Sequence, residues 1–86
     1  MHADRRVHER RAANFLVQHS AVTGAIDYAR DISAGGIFVA SPHLPSVGDT
    51  VQVQFSPDRG QQLVVAFCRV ARVTPEGFGA EFVWSA

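Results

Sequence analysis

The clearest strand pattern in the sequence is Asp49-Thr50-Val51-Gln52-Val53-Gln54-Phe55, in which polar and apolar residues alternate. Successive side chains of a β-strand point to opposite faces, so Val51, Val53 and Phe55 share one face, which we expect to be buried. The segment Ser56-Pro57-Asp58-Arg59-Gly60 comes next and has the composition of a tight turn. The stretch therefore predicts a strand that ends in a turn.

Five further segments on both sides of this strand are also predicted to be strands, because they contain apolar residues and are separated by turn residues such as Gly, Pro and Ser. Their predicted bounds are residues 15–19, 25–31, 36–40, 61–73 and 78–84. The longest segment is expected to bend, and the phenylalanines and Trp84 are expected to fill the interior. No segment has a helical period. Six short strands separated by turns predict an all-β barrel or sandwich with little or no helix.

Length and charge exclude several classes of protein. The chain has 86 residues, one domain in length, and a formal net charge of zero, whereas nonspecific nucleic-acid-binding proteins carry a positive field. It has no apolar stretch long enough to span a membrane, and its polar N-terminus does not resemble a signal peptide. Cys68, the single cysteine, lies in an apolar run and is expected to be buried. We therefore expect a cytoplasmic binding protein, without membrane insertion and without a nucleic-acid partner.

The candidate nucleophiles, acids and metal ligands form no recognisable set. No Ser-His-Asp or Cys-His combination has a suggestive spacing, so no enzyme is predicted. His2, His19 and His43 are dispersed and lack the spacing of metal ligands. We expect no catalytic residue, no metal and no cofactor.

The N-terminal segment is rich in arginine. All eight basic residues are arginines, and four lie in the first eleven positions: Arg5, Arg6, Arg10 and Arg11. Residues 1–13 are predicted to form a flexible arm, and residues 14–86 the β-domain. Arg6 and Arg10 lie on one side of the segment whether it is extended or helical, and their planar donor forks suit phosphate and guanine. Taken alone, the pair is better explained as a solvated basic tail.

A second candidate is the segment Asp31-Ile32-Ser33-Ala34-Gly35-Gly36. Asp31 and Ser33 would project from one face at a strand end, and the glycines permit positive φ and a close approach of backbone N–H groups to an anion. A serine hydroxyl beside such amides suits phosphate, and the carboxylate can accept from guanine donors. Taken alone, an ordinary turn that caps a strand explains the segment better.

Together the two segments resemble the PilZ domain family. Residues 6–10 match its Arg-x-x-x-Arg motif, and residues 31–36 match its Asp/Asn-x-Ser-x-x-Gly motif about twenty residues later. The closing segment 77–82, Gly-Phe-Gly-Ala-Glu-Phe, is similar to the final strand of the family. The resemblance covers residues 5 to about 84.

The resemblance implies a PilZ-like, split-barrel type of fold with six antiparallel strands, and a bacterial receptor for cyclic di-GMP. It implies that Arg6 and Arg10 contact phosphate and guanine as the arm folds over the ligand, and that the ordered arm signals to a protein partner. Asp31 would bond a guanine edge, and Ser33 would lie near phosphate or base. The implied ligand-binding residues are Arg6, Arg10, Asp31, Ser33, Gly35 and Gly36, with Arg5 and Arg11 as additional contacts.

Two departures from the family pattern keep an alternative open. Arg11 stands where an apolar residue is common, and the chain stops at Ala86, just after the last strand, where many family members have a helix. The chain is then a minimal domain or a fragment with an uncovered surface. The alternative is a PilZ-like adaptor that binds protein partners and needs no nucleotide.

Overall fold

The computed structural model describes residues 11–22, 24–56 and 62–83, with side chains from residue 15 onward. It contains six strands in a closed barrel, and all paired neighbours are antiparallel, in the order β1-β2-β3-β6-β5-β4. The strands are β1 Arg11–His19, β2 Ala25–Ile32, β3 Gly36–Ala40, β4 Thr50–Phe55, β5 Val64–Thr74 and β6 Gly77–Phe82. The predicted six-stranded barrel is confirmed. Among the described residues, no helix could cross a membrane.

Strand β1 begins four residues earlier than the apolar pattern predicts. Arg11 pairs with Ile32 and Ala12 pairs with Asp31, so a ladder with β2 holds the polar start of the strand. Residues 11–13 therefore belong to the barrel and not to the predicted arm. The remainder of that arm, residues 1–10, lies outside the described residues.

The barrel interior is formed by alternate residues of the strands, as the pleat requires. Val51, Val53 and Phe55 of β4 are buried, as predicted, and Phe78 of β6 is fully buried. Strand β5 carries a bulge between Val70 and Arg72, which agrees with the predicted bend. The buried cluster contains Val17, Ala29, Ile37, Val39, Val51, Val53, Phe55, Ala66, Cys68, Val70, Phe78 and Ala80.

Two phenylalanines depart from the expectation that all of them fill the interior. Phe67 is 56% exposed on the outer face of β5. Phe38 also lies on the outer face, because its neighbours Ile37 and Val39 point into the core. It is nevertheless only 6% exposed, since arginine side chains cover its ring. Trp84 lies outside the described residues.

Cys68 is fully buried in the core, as predicted. Burial raises the pKa of its thiol to about 11, since the apolar interior disfavours the thiolate. The nucleophilic form of a cysteine is the thiolate, so Cys68 acts as a small core side chain.

The barrel has two ends that matter for function. At the first, which we call the Ser33 end, β1 and β3 begin and β2 and β6 finish, and the β2–β3 turn, residues 33–35, lies there. At the second, the His19 end, β1 and β3 finish and β2 and β6 begin. The start and the end of β1 therefore lie at opposite ends of the barrel.

Candidate functional site

The β2–β3 turn at the Ser33 end is closed by its own hydrogen bonds. The Ser33 N–H donates to the Gly36 carbonyl over 2.9 Å, and the Gly35 N–H donates to Ser33 Oγ over 3.1 Å. In this contact the serine hydroxyl is an acceptor, so its own proton can be directed elsewhere. The turn is therefore an ordinary serine turn and also holds a hydroxyl donor at a fixed place.

Gly36 of the turn lies against the neighbouring strand β6. Among the described residues, positive φ occurs at Gly24 and Gly48, and not at Gly35 or Gly36. A Cβ on Gly36 would lie 2.4 Å from the Ala80 carbonyl oxygen of β6, which no real side chain tolerates. Gly36 is therefore needed for the close approach of β3 and β6, and the positive φ that glycine permits is not used at either glycine of the turn.

Replacing Gly36 by alanine is expected to destabilise the fold by about 1–3 kcal/mol, because the added methyl group pushes against backbone. Gly79→Ala is the matched control, since the nearest atoms there belong to the flexible Arg72 side chain at 3.1 and 3.3 Å. Urea unfolding would measure both variants. A Gly36→Ala protein as stable as the parent would contradict this role.

A cationic and aromatic cluster lies beside Asp31, and the sequence did not point to it. Strand β2 has a bulge, because Ala29 and Asp31 pair with successive residues of β3 and leave Arg30 unpaired in the ladder. The guanidinium carbons of Arg30 and Arg72 lie 5.4 and 5.5 Å from the centre of the Phe38 ring. Such distances are typical of cation–π contacts.

The start of β1 lies at this same corner. Arg11 pairs with Ile32, which directly precedes Ser33, and partners across an antiparallel ladder have Cα atoms about 4.5–5.5 Å apart. The structure thus brings Asp31, Ser33 and the backbone of Arg11 to one end of the barrel. The other predicted arginines, Arg5, Arg6 and Arg10, lie outside the described residues. A cavity of about 160 Å³ lies away from this corner, at the His19 end, between β1, β4 and Gly24.

The fold and the corner define a small closed β-barrel with a candidate binding site on one rim. The chain belongs to the PilZ domain family, whose profile matches residues 4–85. The structure of the Bacillus subtilis inhibitor of motility, MotI/DgrA, is similar to it, with a TM-score of 0.80 and 20% sequence identity. The match covers 96% of this chain and 44% of that chain, so this chain spans less than half of that protein, and the likeness shows the fold. A search of curated proteins gave no significant match.

Proposed function

We propose that this domain binds cyclic di-GMP at the Ser33 end of the barrel and acts as a receptor and adaptor. In this proposal, ligand binding orders the N-terminal arm, and the ordered arm signals to a protein partner. The observation that carries the proposal is the pairing of Arg11 with Ile32. Because of this pairing, Arg11, the residue that follows the Arg-x-x-x-Arg segment in the sequence, lies beside the Asp-x-Ser-x-x-Gly turn.

The length of the chain between the two motifs supports this arrangement. Arg10 precedes Arg11 directly, so its Cα lies about 3.8 Å from a residue paired at the corner. Arg6 is five residues from Arg11, and an extended chain of that length spans at most about 18 Å. A long arginine side chain adds to that reach, so both guanidinium groups can contact a ligand that also contacts Ser33.

The chemistry of the corner fits a cyclic guanine dinucleotide. The ligand has two phosphates, which accept hydrogen bonds, and two guanines, which both donate and accept. Arg6 and Arg10 would supply charge-assisted donors, Ser33 Oγ would donate to phosphate or base, and Asp31 would accept from a guanine edge. The Gly35 and Gly36 backbone would lie against the ligand, and Arg5 and Arg11 would add positive charge.

Ordering of the arm supplies the signalling step of the proposal. Fixing the backbone of a residue costs about 1–2 kcal/mol of conformational free energy. The charge-assisted bonds to the ligand must exceed that cost, so the arm would close only over a bound nucleotide. A segment that becomes ordered presents a new surface to a partner, which is a common form of molecular switch.

Ser33→Ala is expected to weaken cyclic di-GMP binding by about 1–3 kcal/mol, or about 5- to 150-fold, because it removes one donor to a charged oxygen. Calorimetric titration of the full chain would measure this. Ser46→Ala is the matched control, because Ser46 is exposed and lies between β3 and β4 at the His19 end. Equal affinity for Ser33→Ala and Ser46→Ala would exclude the hydroxyl from the site, and absent heat with the parent protein would exclude the function.

An exposed apolar surface favours the alternative function, a nucleotide-independent adaptor. It has two parts on the outer face, one on β1 and β2 and the other on β5, and glutamines of β4 lie between them, since Gln54 pairs with both Gln18 and Val65. Its apolar members are between 49% and 59% exposed: Leu16, Ile26, Tyr28, Val65 and Phe67. Exposed apolar side chains that are grouped and bordered by polar residues are typical of protein interaction sites.

The alternative differs from the receptor in its response to nucleotide. Association with a partner that ignores added cyclic di-GMP and tolerates Arg6→Ala and Arg10→Ala, yet is lost in Phe67→Glu, would favour the adaptor. Association that needs the nucleotide and both arginines would favour the receptor.

A further inference from the structure

Two histidines and an aspartate meet inside the His19 end of the barrel. His19 ends β1, Asp27 lies in β2, and His43 follows β3. Asp27 Oδ2 lies 2.8 Å from His19 Nε2 and 3.4 Å from His43 Nδ1, and the three ligand atoms all lie within 4.8 Å of one another. Three elements that are distant in sequence therefore converge on one point.

The three side chains are held in place by the barrel. The side chain of His19 is fully buried and makes an edge contact with the Phe78 ring, with the ring centres 5.4 Å apart. The side chains of Asp27 and His43 are 15% and 43% exposed, so the cluster opens to solvent on the His43 side. The ligand atoms are thus largely preorganised, and an ion can reach them.

The carboxylate of Asp27 is oriented by a neighbour that would not itself be a ligand. Ser41 Oγ donates to Asp27 Oδ2 over 2.6 Å, and the His43 N–H donates to Ser41 Oγ over 2.8 Å. Burial would raise the pKa of Asp27, but hydrogen bonds from Ser41, His19 and His43 outweigh it, so that pKa lies below its ordinary value. The carboxylate is thus fixed with Oδ2 between the two histidine rings.

We propose that His19, Asp27 and His43 form a binding site for a divalent first-row transition-metal ion, with zinc as the reference case. Two imidazoles and one carboxylate suit zinc, whereas calcium and magnesium prefer oxygen ligands alone. Metal bonds of about 2.0–2.2 Å place tetrahedral ligand atoms about 3.3–3.6 Å apart. The Asp27–His43 distance of 3.4 Å lies in this range, whereas the His19–Asp27 distance of 2.8 Å must lengthen when an ion enters. Solvent on the His43 side completes the coordination, and Ser41 serves as the outer hydrogen-bond partner.

Binding has a local consequence at the β1–β2 turn. The Ala21 N–H donates to His19 Nδ1 over 3.4 Å, so without metal the ring proton is on Nε2 and points to Asp27. A cation at Nε2 replaces that proton, and the neutral ring then carries its proton on Nδ1. The long contact from Ala21 is broken, so the Ala21 amide reports on occupancy.

The test is titration of the full, untagged chain with ZnCl₂ by calorimetry and with CoCl₂ by visible absorption. We expect one ion per chain and an intense cobalt band typical of a four-coordinate site. His43→Ala removes a partly exposed ligand, and Asp27→Asn keeps the size of the side chain. Each variant is expected to weaken zinc binding at least about tenfold. Removing only a hydrogen-bond partner of a metal ligand already weakens metal binding by about that factor.

The matched control is the double variant His2→Ala/His8→Ala, which removes the two histidines of the sequence that are not proposed ligands and should bind zinc as the parent does. Zinc should also shift the Ala21 amide signal in a nitrogen–proton NMR spectrum. No uptake by the parent, equal uptake by His43→Ala and Asp27→Asn, or loss of uptake in the control would each overturn the proposal. The cyclic di-GMP titration is independent of this result, because the two sites lie at opposite ends of the barrel.

Discussion

Replacing both Arg6 and Arg10 by alanine is expected to weaken cyclic di-GMP binding at least about 100-fold. A hydrogen bond to a charged group contributes about 1.5–3 kcal/mol, and the double variant removes two guanidinium forks that would face the phosphates and guanines. The barrel should keep its stability, because these residues precede β1 and the described core does not include them.

Calorimetric titration measures this loss, and Arg10→Lys is its conservative control. Lysine keeps the positive charge but has no planar fork, so an intermediate affinity is expected if the arginine bonds in two places. Thermal unfolding of each variant shows whether the fold is intact. Affinity unchanged in the double variant would remove the arm from the binding site.

Replacing Phe78 by alanine is expected to destabilise the barrel by about 3–5 kcal/mol, because a large core side chain leaves a cavity behind. Phe78 is fully buried and contacts the His19 ring. Small domains have a total stability of about 5–15 kcal/mol, so much of the folding free energy would be lost.

Phe67→Ala is the matched control for this experiment, since the same residue type is removed from the outer face of β5, where it is 56% exposed. Its cost should be below about 1 kcal/mol. Urea unfolding monitored by circular dichroism gives both values. Comparable losses for the two phenylalanines would mean that the assignment of interior and exterior faces is wrong.

The strands and their buried faces could be predicted where one face alone is apolar. In β4, the alternation of Val51, Val53 and Phe55 with glutamines leaves one choice for the buried face, and all three are buried. In β5, residues 63–68 are apolar on both faces, so the sequence could not decide whether Phe67 points inward or outward. The barrel decides the question. Cys68, which pairs with Phe82, points into the core, so the adjacent Phe67 points outward.

The candidate site was predictable in part for a similar reason. Asp31 and Ser33 are close in sequence, so a local motif contained them, and their turn forms as an ordinary serine turn. Contacts between distant strands left no local signal. Arg72 reaches Phe38 across β6, and His19, Asp27 and His43 meet only because the barrel closes. The start of β1 was also missed, since its ladder with β2 involves polar residues.

Hydrogen exchange measured with and without cyclic di-GMP is the most direct test of whether the arm and the β2–β3 turn both bind this nucleotide. We expect slower exchange in two separate segments, residues 4–12 and residues 31–36, and unchanged exchange around His19 and Ser41. Exchange that stays the same in residues 4–12, or slows only at the His19 end, would contradict it.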